Sequence, residues 1–221
     1  MRSARTVREE RDIAAAVRTA LLRHPHVIAV ELVGSRARGT PSPLSDWDFT
    51  VEVNDVAGVT ADMPALVTEL EPFSQQWDRL GPDDYCCYML MLAGPVKIDL
   101  IFPGVPHGPE PPWEVAPDTL DQIDQHFWDW VLWMAAKEQS GKGDLVRQEL
   151  TKMSEHLLRP MDVDRVPRSI HAAIVDYLSA RERLESALGV HVSRRLELEV
   201  LPVLHRAVGV GLDLRTHPEV E

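Results

Sequence analysis

Three aspartates and a glycine–serine pair are the residues in this 221-residue chain whose types and spacing could do chemistry. Asp46 and Asp48 stand two apart at the head of a strand-like run, Asp46 to Val53, so their side chains project from one face. Carboxylates held that close repel unless a cation lies between them or one takes a proton. Asp99 is a lone carboxylate in Lys97-Ile98-Asp99-Leu100-Ile101, and strand alternation sets it opposite Ile98 and Leu100, the expected core-facing pair. Upstream, the β-branched run Val27 to Val33 ends in Gly34-Ser35. A glycine there lets backbone N–H groups approach a phosphate closely, and Ser35 adds a small hydroxyl donor. Arg36 and Arg38 place positive charge beside the turn, which in an acidic protein points to an anion. Magnesium takes a few carboxylates together with phosphate oxygens, so the turn and the aspartate pair predict a magnesium–phosphate site. Asp99 would let two metal ions share a bridging ligand. Each feature is commonplace alone; their order and spacing select the reading.

The elements that must position these residues are legible by periodicity. Thr6-Val7-Arg8-Glu9 has the form of a capping box, followed by an apolar helical face of Ile13, Ala16, Val17, Ala20 and Leu21. Val27 to Val33 reads as a strand buried on both sides, Gly39 to Ser45 as a loop, and Ala61 to Leu70 as a helix. Tyr85 to Ala93 and Val96 to Phe102 read as strands joined at Gly94-Pro95. Prolines at 103, 106, 109, 111, 112 and 117 then exclude regular structure, and a domain boundary is expected there. Beyond it, Leu120, Ile123, Phe127, Trp130, Val131 and Met134 form one helical stripe, with Asp118 as N-cap and Gly141 as stop. Trp128, Leu132 and Trp133 give that helix a second apolar face, for an interface within the chain or a homodimer. Further helices are expected at Leu145–Leu158, Ser169–Leu188 and Arg194–Val208. The predicted architecture is an α/β domain, a mixed sheet flanked by helices, over 1–103, then a proline-rich linker over 104–117. An all-α helical bundle over 118–221 completes it.

Composition narrows the partners. A net charge of −12 argues against general nucleic-acid binding, which needs a basic surface to displace counterions. From Asp46 to Asp99 eleven acidic residues face only Arg79 and Lys97, a surface suited to metal ions and cationic acceptors. No apolar run approaches the roughly 20 residues of a membrane span, and the charged N-terminus does not resemble a secretory signal, so the cytoplasm is expected. The adjacent Cys86 and Cys87 point to opposite faces of a strand and predict no disulfide. Ser140-Gly141-Lys142-Gly143 lacks the strand and spacing of a P-loop, and Gly209-x-Gly211 reads as a helix terminator.

Gly34-Ser35-x-x-x-Gly39 with Ser45-Asp46-x-Asp48 and the later Asp99 resembles the nucleotidyltransferase superfamily that includes DNA polymerase beta. The layout and length most resemble its aminoglycoside and lincosamide branch. The resemblance implies that Asp46 and Asp48 hold the nucleotide-bound and catalytic magnesium ions. Asp99 would complete the catalytic metal site and help take the acceptor's proton. Gly34 and Ser35 would bind the β- and γ-phosphates, with Arg36, Arg38 and Ser45 beside them. Lys137 would reach the triphosphate from the helical half. The implied reaction moves a nucleoside monophosphate, expected to be AMP from ATP, onto a hydroxyl of a small cationic molecule. A protein or tRNA acceptor, or a nucleotide-binding module without catalysis, are the alternatives.

Overall fold

The computed structural model describes residues 4–79, 85–108 and 110–209, with the side chains of residues 4–11 outside the description. The chain divides into two compact units, Met1–Glu110 and Pro111–Glu221. The first is α/β and the second helical.

In the first unit, helix α1 (Ala4–Leu21) leads into β1 (Val27–Leu32), and a one-turn helix α2 (Gly34–Ala37) follows directly. Then come β2 (Trp47–Val53), α3 (Val56–Leu66), β3 (Ser74–Trp77), β4 (Tyr85–Leu92) and β5 (Val96–Pro103). Among the described residues the strands form one mixed sheet in the order β1-β2-β5-β4-β3. Only β2 and β5 run parallel; the other neighbours are antiparallel. Alternation along β2 and β5 sends Trp47, Phe49, Val51, Ile98, Leu100 and Phe102 into the core. Side chains of α1 and α3, Val17, Leu21, Val59 and Met63, cover that face. Each fully buried residue of this size contributes about 1.5–3 kcal/mol.

The differences from the expected elements have local causes. α1 begins at Ala4, ahead of Thr6, and the side chains of the expected capping box lie outside the described residues. Its inner face uses Ala14, with Ile13, Val17 and Leu21, whereas Ala16 is exposed. β1 is not buried on both sides: it is an edge strand with Ile28 and Glu31 exposed. α3 starts five residues before the expected Ala61, because the Asp55 side chain caps it by accepting from the Gly58 N–H at 3.1 Å. It stops at Leu66, and Thr68–Leu70 is a 3-10 turn. β3 was unanticipated, its glutamine pair masking the alternation, and it is held by antiparallel pairing to β4. Both cysteines are free.

The second unit contains α4 (Leu120–Gln139), α5 (Gly143–Met153), α6 (Ile170–Leu188) and α7 (Arg195–Val208). Asp118 does not cap α4; Thr119 stands at the N-cap with no side-chain bond into the helix, its Oγ instead bracing the preceding turn by accepting from the Ala116 N–H at 2.9 Å and donating to the Glu114 carbonyl at 2.7 Å. Both apolar faces of α4 are covered, with Trp128 and Phe127 fully buried. α5 passes at Met153 into a π-helical segment, Ser154–Leu158, so helical backbone runs to the expected Leu158 before a 3-10 turn that contains Pro160. Ser169 caps α6 by accepting from Ala172 N–H at 3.1 Å, and left-handed Gly189 and Gly209 follow α6 and α7. Gly211 lies outside the described residues. No described helix is long and apolar enough to cross a membrane.

Candidate functional site

The parallel ladder between β2 and β5 sets the geometry. Its register places Asp48 directly beside Asp99, flanked by the core pairs Trp47–Ile98 and Phe49–Leu100. Burial of those flanking residues fixes the register, since a slip of either strand by one residue would turn its aspartate into the core. Asp46 lies just ahead of β2, and ligand oxygens of Asp46, Asp48 and Asp99 all lie within 4.8 Å of one another. Among the described residues this is the one such cluster of potential metal ligands.

Gly34 is packed against that cluster. Its φ of +69° is a conformation few side chains tolerate, and a Cβ there would lie 1.9 Å from Asp48 Oδ2. Val33 N–H donates to the Asp48 carbonyl at 2.8 Å, so the glycine turn is tied to the strand that carries the aspartate.

Residues 14–84 match the family model described as a nucleotidyltransferase domain, a span that includes Gly34, Ser35, Asp46 and Asp48. No curated protein matches the chain by sequence. Similar solved structures include a cytoplasmic RNA terminal U-transferase, at 16% identity and TM-score 0.37, covering 62% of this chain and 41% of that one. The Cid1 poly(U) polymerase is similar at 15% and 0.38, covering 72% and 40%. An aminoglycoside 6-adenyltransferase from Bacillus subtilis is similar at 10% and 0.31, covering 89% and 97%. The chain thus spans about two fifths of the length of the first two.

The electrostatics of the carboxylate cluster are set by crowding. Burial pushes the Asp99 carboxyl above the usual aspartate range; Lys97 draws it down, while Asp46 and Asp78 push it up further. Lys97 sits two residues before Asp99 on the same face of β5, buried, with its Nζ in contact with Asp99 Oδ1. Its part in the site was missed in the sequence, where it figured only as local positive charge. The signal was there: a lysine two residues from an aspartate on one strand faces the same way.

The donor set suits a hard divalent cation. Three carboxylates converge within 4.8 Å beside a backbone that approaches closely because residue 34 has no side chain.

The other expected site residues are distributed differently. Arg36 turns back into the protein: its Nε donates to the carbonyls of Ser45 at 3.2 Å and Asp46 at 3.0 Å, and its Nη2 to Ser45 at 2.6 Å. Its guanidinium lies 4.3 Å from the centre of the Trp47 ring. This clamp fixes the backbone that carries Asp46. Ser45 Oγ accepts from the Ser42 N–H at 2.8 Å, closing the loop before the aspartates. Ser35 is half-buried at the start of α2, and Arg38, at its end, is exposed. Lys137 belongs to the second unit, near the end of α4, with its Nζ 4.7 Å from the centre of the Trp133 ring.

Proposed function

We propose that the chain is a magnesium-dependent nucleotidyltransferase that moves a nucleoside monophosphate from ATP to a hydroxyl of a small cationic acceptor. The observation that carries this reading is the convergence of Asp46, Asp48 and Asp99 against Gly34, with Gly34, Asp46 and Asp48 inside the span that matches the nucleotidyltransferase model. In the proposed reaction the acceptor oxygen bonds to the α-phosphorus and the bond to the bridging oxygen breaks. Pyrophosphate leaves with that electron pair, and Asp99 helps take the acceptor's proton. Asp46, Asp48 and Asp99 would hold two magnesium ions, which neutralise phosphate charge and lower the pKa of the attacking hydroxyl. Gly34 and Ser35 bind the β- and γ-phosphates, with Arg38 nearby. In this reading the catalytic domain spans 1–103 and a linker 104–117, and the helical domain over 118–221 carries Lys137.

Support for a cationic acceptor comes from the open face of the sheet. Thr50 and Glu52 follow Asp48 on the same face of β2, and Glu31 pairs with Thr50. Together with Ala29, Pro103 and Val105 they line a groove of about 470 Å³. Two carboxylates on one groove suit the ammonium groups of an amino sugar. The aminoglycoside 6-adenyltransferase acts by name on such a molecule, which makes aminoglycoside-type antibiotics the acceptors to try first. The reading further places the enzyme in the cytoplasm and leaves a homodimer open to direct measurement.

The test is pyrophosphate release with magnesium and each nucleoside triphosphate, across amino sugars, hydroxyl compounds without amines, and RNA. Release with ATP and an amino sugar is the expected result. Release only with RNA, or with no acceptor of any class, would overturn the acceptor assignment.

A further inference from the structure

Lys97 is a buried charge on the face of β5 that carries Asp99. It is 6% exposed, and its ammonium rests on a carboxylate that also faces Asp46 and Asp48. Burying an ammonium is costly unless an anion accompanies it, so Lys97 and Asp99 are held together by more than adjacency. With Asp78, whose charge also acts on Asp99, the formal charge around the cluster is −4 without Lys97 and −3 with it. Two divalent cations would balance the first; with Lys97 the second leaves an excess until a polyanionic triphosphate arrives.

We propose that Lys97 is a built-in cation that occupies the Asp99 side of the carboxylate cluster and enforces ordered metal loading. The first divalent ion binds through Asp46 and Asp48. Asp99 would join the ligands of a second ion only when a triphosphate brings enough negative charge to offset that added cation, the ion then drawing Asp99 away from Lys97. Lys97 acts through Asp99 and is a positioning residue. The inference rests on the metal-dependent reading above and adds to it an order of assembly.

Two measurements test it, neither of them turnover. Mn²⁺ binding to the full chain, followed by electron paramagnetic resonance, is compared for wild type, Lys97→Met and Lys97→Arg, with and without a non-hydrolysable triphosphate. Wild type and Lys97→Arg should take one ion alone and two with the triphosphate. Lys97→Met should take the second ion alone, or bind roughly tenfold more tightly, the effect of one charge about 5 Å from a divalent ion even at the dielectric of water. Equal stoichiometry and affinity in folded Lys97→Met and wild type would overturn the inference while leaving the metal site standing. Absence of Mn²⁺ binding in every form would remove the metal reading and the inference with it.

The second measurement uses wild type alone, so it survives a Lys97→Met variant that fails to fold. Reductive methylation of Lys97, read by mass spectrometry, should rise when Mn²⁺ and the triphosphate are both present. Labelling that stays constant under saturation would show that Lys97 never leaves Asp99.

Discussion

At the scale of single residues, Asp48 and Gly34 constrain each other. The carboxylate occupies the space a β-carbon at position 34 would need, so the glycine is required twice, for its backbone angle and for what lies against it. Gly34→Ala should cost about 1–2 kcal/mol for the left-handed conformation alone, seen as a lowered Tm. By displacing Asp48 on the order of 1 Å it should also slow pyrophosphate release by about a hundredfold. Asp48→Asn keeps the shape and removes the charge. It should leave the circular dichroism spectrum unchanged and reduce release by about a hundredfold or more; wild-type turnover in that variant would overturn the metal assignment. The sequence revealed the carboxylates because their spacing on strands is a periodic signal. It could not give the direction of Arg36, because a long side chain beside a turn can reach outward to a ligand or inward to carbonyls with identical spacing. Only the positions of the Ser45 and Asp46 carbonyls decide between the two.

At the scale of elements, the helical unit is organised by buried charge that no periodicity discloses. Asp124 on α4 accepts from Tyr177 at 2.5 Å, Arg181 at 2.9 Å and Trp128 at 3.2 Å, and Arg181 also reaches Glu197 on α7. Asp124→Ala strands the Arg181 charge and should cost about 3–5 kcal/mol in urea denaturation. Glu185, near the end of α6, accepts from the Val192 N–H at 2.6 Å and from Arg194 at 2.5 and 2.9 Å. Burial alone would raise its carboxyl, but the Arg194 and Val192 donors outweigh that and hold it below the ordinary glutamate range. A carboxyl lowered in the folded state stabilises above its unfolded pKa, and that stability is lost as pH falls through the folded value. Glu185→Gln should therefore be about 1–3 kcal/mol less stable at pH 7, with the gap to wild type closing as the solution is acidified below the glutamate range. Hydrophobic stripes predicted where α4 and α6 run, because burial repeats every turn. The network was illegible because its members lie up to 73 positions apart, and their pairing exists only once three helices pack.

At the scale of the whole molecule, the charge of −12 acts on encounter. A cationic acceptor should show a KM that rises several-fold as salt shortens the Debye length from about 30 Å at 0.01 M to about 8 Å at 0.15 M, with kcat little changed. A KM indifferent to salt would argue for an uncharged acceptor. The parallel ladder has a different reach. Asp48 and Asp99 are 51 positions apart and meet only after α3, β3 and β4 have been threaded between β2 and β5. Such pairing has a high loop-closure cost and forms late in folding. A divalent ion whose ligands include Asp99 as well as Asp46 and Asp48 has no purchase on the unfolded chain or on early intermediates. Its binding should leave the refolding rate nearly unchanged and slow unfolding, so that chelation shortens the lifetime of the native state without altering how fast it is reached.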